Sequence, residues 1–126
     1  MIEWDEKRWP NFTIKEFQCH HTGKCEMQPE FLDWLQMLRW ELAFPFHINS
    51  GYRDKTHPAE ASKPAPGAHA YGVAADIGVQ GMLAHSLVKA AMAHGVLGLG
   101  VKQKGDGRFI HLDLWKSPKR PMIWSY

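Results

Sequence analysis

The sequence of 126 residues has no apolar run of the length that a membrane-spanning helix needs. It has no strong charge imbalance either, because 15 Lys and Arg against 13 Asp and Glu leave a formal net charge of +2. A charge this mild, with no basic patch spaced to read bases, argues against a nucleic-acid-binding protein. We therefore expect neither membrane insertion nor nucleic-acid binding.

No signal peptide is visible, because the first residues, MIEWDEKRWPNF, are charged where a leader needs an apolar core. We expect synthesis in a host cytoplasm and release by another route. The length suits one domain over residues 1–126, with 44% hydrophobic and 22% charged residues, as in folded globular proteins. We expect this domain to be a monomer.

Cysteine is scarce, since Cys19 and Cys25 are the only two and both lie in the segment CHHTGKC. One interpretation is a small zinc knuckle formed with the two histidines. Four ligands this close in sequence can hardly surround one ion tetrahedrally, so a structural loop is favoured. The sequence leaves open whether the two thiols form a disulfide.

Three helices are predicted from capping signals and apolar spacing. Thr13 and Glu16 have the spacing of a capping box that opens a short helix. A longer helix is predicted from Pro29 to about Ala43, because proline favours a first turn and apolar residues follow at helical spacing. A further helix is predicted from about Met82 to His94.

Four segments have the composition of strands, namely 46–52, 73–77, 96–102 and 108–115. The segment 54–68, rich in Pro, Ala and Lys, is typical of a surface excursion. These elements predict an α+β fold with a small antiparallel sheet of about four strands and helices packed on one side.

The segment HAYGVAAD holds two strong metal-ligand types, His69 and Asp76, around small residues. Gly72 favours a turn and residues 73–77 are typical of a buried strand, so His69 is expected to fold back over Asp76. Two ligands do not complete a zinc site, and a third has to come from elsewhere in the chain.

The last predicted strand supplies that third ligand. Period-two alternation puts His111 and Asp113 on one face and apolar residues on the other. His69, Asp76 and His111 then form a two-histidine, one-carboxylate set, the composition of a catalytic zinc site with water in the fourth position. H-x6-D is a loose pattern, so the spacing makes this set a hypothesis only.

Several segments in order along nearly the whole chain resemble the zinc D-Ala-D-Ala carboxypeptidase and L-alanyl-D-glutamate endopeptidase family. INSGYRD resembles the family's S-G-Y-R turn, and GAHAYGVAAD its zinc motif S-x-H-x-x-G-x-A-x-D. FIHLDLW resembles the second zinc motif, H-x-D, in the version found in phage-borne members, and PMIWSY their ending. NFTIKEFQC and FLDWLQMLRWEL resemble the opening segment and the first long helix.

This resemblance implies a hedgehog/DD-peptidase-like fold and Zn²⁺ held by His69, Asp76 and His111. It implies that Arg53 contacts the substrate's carbonyl or carboxylate and stabilises the oxyanion. Gly67 stands where the motif usually has serine, which affects local substrate contacts more than zinc binding.

The implied function is that of a zinc metallopeptidase that hydrolyses stem peptides or cross-links of bacterial peptidoglycan. The phage-like motifs suggest an endolysin or a virion-associated enzyme that degrades the cell wall. They favour an endopeptidase over a D,D-carboxypeptidase.

The general base is not evident from the sequence. Many relatives have an acidic residue three positions before the last histidine ligand, where this chain has Arg108, which cannot accept a proton. Asp113 is favoured as the base because it lies on the same face of the strand as His111. The alternative role for Asp113 is to orient a histidine ligand. Asp106, in the turn KGDG, is the other candidate, and His57 is expected to stabilise its loop. The alternative function is a non-catalytic, zinc-binding structural module of a phage particle.

Overall fold

A computed structural model describes residues 1–126 and contains four helices and five strands. The α+β class is confirmed. The elements are α1 Ile14–Phe17, α2 Pro29–Leu42, β1 His47–Ser50, α3 Pro58–Ala61, β2 Ala74–Gly78, α4 Gly81–Ala93, β3 Gly98–Lys102, β4 Phe109–Asp113 and β5 Met122–Ser125.

The five strands form one sheet in the order β1-β2-β4-β3-β5. The first four strands pair antiparallel, as predicted, whereas β5 adds a parallel pairing with β3. This fifth strand was not predicted. Its residues are mostly exposed, so it has no alternation of buried and exposed positions, and backbone pairing with β3 alone defines it.

The two faces of the sheet differ in chemistry, because side chains alternate along β2 and β4. Ala75, Ile77, Ile110 and Leu112 are buried in one apolar core with residues of α2 and α4. The opposite face carries Asp76, His111 and Asp113, all buried as well. The predicted separation of a core face from a polar face is confirmed.

The helices have the caps and lengths that their sequences suggest. The capping box of α1 is present, with the Thr13 backbone N–H donating to Glu16 Oε1 at 2.7 Å. The helix α2 starts at Pro29 and ends before Ala43, which has a positive φ of 55°. None of the four helices combines the length and apolarity needed to cross a membrane.

The excursion over residues 54–68 contains α3, whose four residues are too few to show a helical period. His57 caps this helix, since its Nδ1 accepts a hydrogen bond from the Ala59 backbone N–H at 3.0 Å. His57 therefore stabilises its loop, as expected.

Cys19 and Cys25 are free thiols buried in the core. The backbone N–H of Asp54 donates to Cys19 Sγ at 3.4 Å. The cluster of metal-ligating side chains in this protein includes neither cysteine, which agrees with a structural loop and not with a zinc knuckle.

Candidate metal centre

The antiparallel pairing of β2 with β4 places Asp76 directly opposite His111. His69 reaches the same place because the chain turns sharply between it and β2. Gly72 makes that turn possible with a φ of +72°, and a side chain there would overlap the backbone carbonyl of Glu26. The structure thus brings together the three candidate ligands, His69, Asp76 and His111.

Three ligand atoms converge at the floor of a cavity. Asp76 Oδ1 lies 2.9 Å from His111 Nδ1 and 3.3 Å from His69 Nε2, and all three atoms lie within 4.8 Å of one another. Tetrahedral ligands at roughly 2.1 Å from zinc are about 3.4 Å apart. The two separations from Asp76 Oδ1 are near that value, so the donor set fits a small divalent cation.

The outward nitrogens of both imidazoles face hydrogen-bond acceptors. His69 Nδ1 donates to the Gly51 carbonyl at 2.7 Å, and His111 Nε2 donates to Asp113 Oδ2 at 2.7 Å. Because the outward nitrogens hold the protons of the neutral rings, His69 Nε2 and His111 Nδ1 direct lone pairs toward Asp76. This arrangement of tautomers is the one that metal ligation requires.

The carboxylate of Asp76 is strongly stabilised in its ionised form. Burial alone would raise its pKa, but in the metal-free protein an imidazole of His111 or His69 that also binds a proton on the nitrogen facing Asp76 donates a hydrogen bond to it. These hydrogen bonds outweigh burial and hold the pKa of Asp76 well below its ordinary range. Burial lowers the pKa of His69, which favours the neutral imidazole that a metal needs. Proton binding and metal binding therefore compete at this centre.

Asp113 lies behind His111 and has no free oxygen. Its Oδ1 accepts from Arg120 Nε and from the Trp115 backbone N–H, both at 3.1 Å, and its Oδ2 accepts from Arg120 Nη2 at 2.8 Å as well as from His111. Burial would raise its pKa, but the bonds to His111 and Arg120 lower it to about 2. Asp113 is fully buried and is not among the residues that line the cavity. This geometry favours orientation of His111, the second of the two roles considered for Asp113.

Arg53 lies at the edge of the same centre. Its Nη2 contacts Asp76 Oδ2 at 3.1 Å and its Nε donates to Ser50 Oγ at 3.0 Å. Its backbone N–H donates to the His69 carbonyl at 3.2 Å, which ties the two segments together. Arg53 pairs with Asp76 and not with its neighbour Asp54, and its side chain lines the cavity.

Asp106 lies on the exposed turn between β3 and β4, and the structure does not bring it to the metal centre. Lys102 Nζ donates to its backbone carbonyl at 2.6 Å, and its carboxylate is not among the cavity residues. Arg108 is exposed on the same turn, where its Nε donates to the Gly105 carbonyl at 2.9 Å.

The cavity above the three candidate ligands has a volume of about 700 Å³ and is lined by both charged and aromatic side chains. Its charged lining residues are Arg53, Lys63, Asp76, Lys119 and Arg120. Arg53, Lys63 and Arg120 are paired with Asp76, Glu60 and Asp113, so Lys119 is the lining cation without a carboxylate partner. Aromatic rings form much of the remaining wall, among them Tyr71 and Trp115, which stack with centroids 5.9 Å apart. Such a lining suits a polar ligand that carries negative charge.

Arg120 and Trp124 line the same cavity, although the sequence predicts neither as a site residue and indicates Trp124 only as part of the family-like ending PMIWSY. Arg120 follows Asp113 by seven residues through an irregular connection, and Trp124 lies on the unpredicted strand β5 with its ring centroid 5.0 Å from that of His111. Neither residue has a periodic spacing from the candidate ligands in the sequence. Their position in the site is set by the three-dimensional path of the chain after β4.

Two glycines of β3 make room for the site. Gly98 pairs with Asp113, and Gly100 pairs with His111. A side chain at Gly98 would overlap the Asp113 carboxylate, and a Cβ at Gly100 would lie 2.7 Å from Trp124 Nε1. The two glycines of β3 therefore leave space beside His111 and Asp113.

Comparison with known protein families finds a match over most of the chain. The model of a family described as Peptidase M15 matches residues 10–113, which include all three candidate ligands, Arg53 and Asp113. The match ends before Arg120 and β5. No curated protein shows significant similarity to the chain.

Proposed function

From the membership of this chain in the peptidase M15 family, we propose that it is a zinc metallopeptidase that cleaves bacterial peptidoglycan. The proposed substrates are stem peptides or cross-links of the cell wall. The observation that carries the proposal is the convergence of His69 Nε2, Asp76 Oδ1 and His111 Nδ1 at the floor of an open cavity. A two-histidine, one-carboxylate set leaves a position for water, as catalytic zinc sites do.

A bound Zn²⁺ would lower the pKa of its water to about 7 and polarise the scissile carbonyl. The protein's own contribution begins with Arg53. Its guanidinium is partly buried at the cavity wall and lies beside Asp76, which places positive charge where an oxyanion forms. We assign Arg53 the role of binding the substrate's carbonyl or carboxylate oxygen.

Asp113 is proposed to orient His111. Both of its oxygens are already engaged by donors, and it does not reach the cavity, so it cannot easily collect a proton from a water molecule there. A carboxylate behind a histidine ligand fixes the ring and its tautomer. Asp106 is then the remaining proposed base, and the turn that carries it would have to move toward the cavity when substrate binds.

The surroundings of the metal centre support a peptide substrate that continues on both sides of the cleaved bond. A second groove, on the other side of Tyr71 and Trp115, shares both residues with the metal cavity. Lys119, which lines the cavity without a carboxylate partner in the protein, suits a carboxylate of a peptidoglycan stem peptide. These features support an endopeptidase over a D,D-carboxypeptidase, and the phage-like motifs support an endolysin or a virion-associated wall hydrolase.

One observation favours a second function. Asp76 is the only carboxylate that lines the cavity, and the position of the usual acidic residue holds Arg108 on an exposed turn. A peptidase-like module that binds zinc without cleaving peptides would have such a site. This alternative is a structural component of a phage particle.

Hydrolysis of purified sacculi separates the two functions. The protein is incubated with sacculi, with and without a zinc chelator, and released peptides are identified by mass spectrometry. A peptidase releases new amino termini only without the chelator, and His111→Ala abolishes the release. Zinc binding with intact sacculi would instead support the structural module.

A further inference from the structure

Arg120 lies outside the segment matched by the family, yet it is among the most constrained side chains of the site. Only 10% of its side chain is exposed. Its Nε and Nη2 form a two-pronged contact with Asp113 at 3.1 and 2.8 Å, and its Nη1 donates to the Lys119 carbonyl at 3.1 Å. The guanidinium carbon lies 4.9 Å from the ring centre of Trp115 and 5.1 Å from that of Trp124.

The two tryptophans and the two-pronged contact together fix the plane of the Asp113 carboxylate. A planar guanidinium that binds both oxygens prevents rotation of the carboxylate, which a single hydrogen bond does not. Without Arg120, Asp113 would keep only the Trp115 backbone N–H and His111 as donors. These two donors hold one oxygen each, and Arg120 is the only residue that holds both, so it adds the constraint on the carboxylate plane that directs Oδ2 toward His111.

That direction in turn fixes the metal ligand. Asp113 Oδ2 accepts from His111 Nε2 at 2.7 Å, and His111 Nδ1 on the other side of the ring lies 2.9 Å from Asp76 Oδ1. Consecutive contacts thus connect Arg120 to the ligand atoms through Asp113. A change at Arg120 should alter the orientation of His111 without removing any ligand.

We infer that Arg120 is a positioning residue of the metal centre, which sets the orientation and tautomer of His111 through Asp113. The inference rests on the proposed metal centre. A purely structural role, in which Arg120 only ties the connection between β4 and β5 to the sheet, would affect stability and leave metal affinity unchanged.

The chain provides a matched control in Arg8. Arg8 contacts Asp33 with Nε and Nη2 at 2.7 and 2.6 Å, and its guanidinium carbon lies 5.1 Å from the ring centre of Trp9. The pair has the same two-pronged contact and the same stacking on tryptophan, but it is exposed and includes no metal-ligating histidine.

The test measures zinc affinity by competition with a chromophoric chelator for Arg120→Gln, Arg120→Lys and Arg8→Gln, with thermal melting of each zinc-free variant. Arg120→Gln is expected to weaken zinc binding by about 10–100-fold, the range for loss of a group that supports a ligand. Arg120→Lys is expected to weaken it less, because lysine keeps the charge and loses the planar contact. Arg8→Gln should bind zinc like the wild type.

Wild-type zinc affinity in folded Arg120→Gln would overturn the inference. If Arg120→Gln does not fold, Arg120→Lys decides, and unchanged affinity in that variant overturns the inference too. An equal loss in Arg8→Gln would do the same. Failure of the wild-type protein to bind zinc would overturn the proposed function and this inference together. If the wild-type protein is an active zinc enzyme and the Arg120 variants bind zinc as tightly as it does, only the inference is overturned.

Discussion

Asp113 Oδ2 accepts a hydrogen bond from His111 Nε2 at 2.7 Å, on the side of the ring opposite Nδ1. The two residues are two positions apart on β4, so the pleat places them side by side on the same face. The sequence H-x-D on one strand therefore holds a candidate metal ligand and the carboxylate that is proposed to orient it.

The first prediction concerns the metal. The purified protein is expected to bind one Zn²⁺ per chain, and His111→Ala is expected to lose most of this zinc, because one of three protein ligands is removed. Elemental analysis after dialysis measures the occupancy. His85→Ala, on the exposed surface of α4, is the control and should keep its zinc. Full occupancy in His111→Ala would contradict the proposed ligand set.

The second prediction separates the roles of Asp113 and Asp106. Asp113→Asn is expected to weaken zinc binding by about 10–100-fold and to recover its turnover in excess zinc, as a ligand-orienting carboxylate should. Asp106→Asn, if it removes the base, should lower turnover by about 10²–10⁴-fold at unchanged zinc affinity. Both are measured as kcat over a zinc titration. Turnover of Asp113→Asn that stays low at saturating zinc would instead identify Asp113 as the base.

The third prediction concerns Arg53. Arg53→Ala is expected to lower kcat/KM at saturating zinc by a hundredfold or more, about 3 kcal/mol of transition-state stabilisation. Arg53→Lys should recover part of it, because the charge returns without the planar guanidinium. An endopeptidase should show the loss mainly in kcat and a carboxypeptidase mainly in KM. Release of free D-alanine from stem peptides, with sacculi left uncut, would identify a carboxypeptidase.

The fourth prediction concerns acid. The pKa of Asp113 is lowered from 3.8 to about 2 in the folded protein, so its ionised form stabilises the fold. This stabilisation is fully present above pH 3.8 and is lost as the pH falls through about 2. The melting temperature of zinc-free protein should therefore fall more steeply over this range than that of Asp113→Asn. Asp106→Asn, at an exposed aspartate, should follow the wild type, and parallel curves for all three would refute the prediction.

The fifth prediction concerns the space beside Asp113. Gly98→Ala would push a methyl group into the Asp113 carboxylate, so it should destabilise the fold by about 1–3 kcal/mol, as overpacking does, and weaken zinc binding. Gly78→Ala is the control in the same sheet, since its Cβ would meet only the ends of the Asn49 and His47 side chains. Chemical denaturation and a zinc titration measure both effects. Equal behaviour of the two variants would contradict a special role for Gly98.

Much of this fold and site follows from local patterns. Alternation along the segment of β4 was sufficient to place His111 and Asp113 on one polar face, because period two is a property of any strand. The turn at Gly72 was sufficient to return His69 toward Asp76, since glycine readily adopts the positive φ that the turn requires.

The remainder depends on contacts between distant segments. The segment of β5 has exposed Met122 and Ile123, so no buried stripe marks it, and its pairing with β3 is a matter of backbone hydrogen bonds. The role of Asp113 depends on which donors reach its oxygens. Arg120 is one of them, and it reaches Asp113 through an irregular connection whose path no side-chain period describes.

Gly98 and Gly100 have a further consequence for how such sites are recognised in sequences. Their register with Asp113 and His111 pairs H-x-D on β4 with G-x-G on the antiparallel strand β3, with the second glycine eleven positions before the histidine in this chain. The two motifs can be read together. H-x-D provides the side chains of the site, and G-x-G leaves room for them because glycine has no side chain. A sequence search that requires both motifs is more demanding than a search for H-x-D alone.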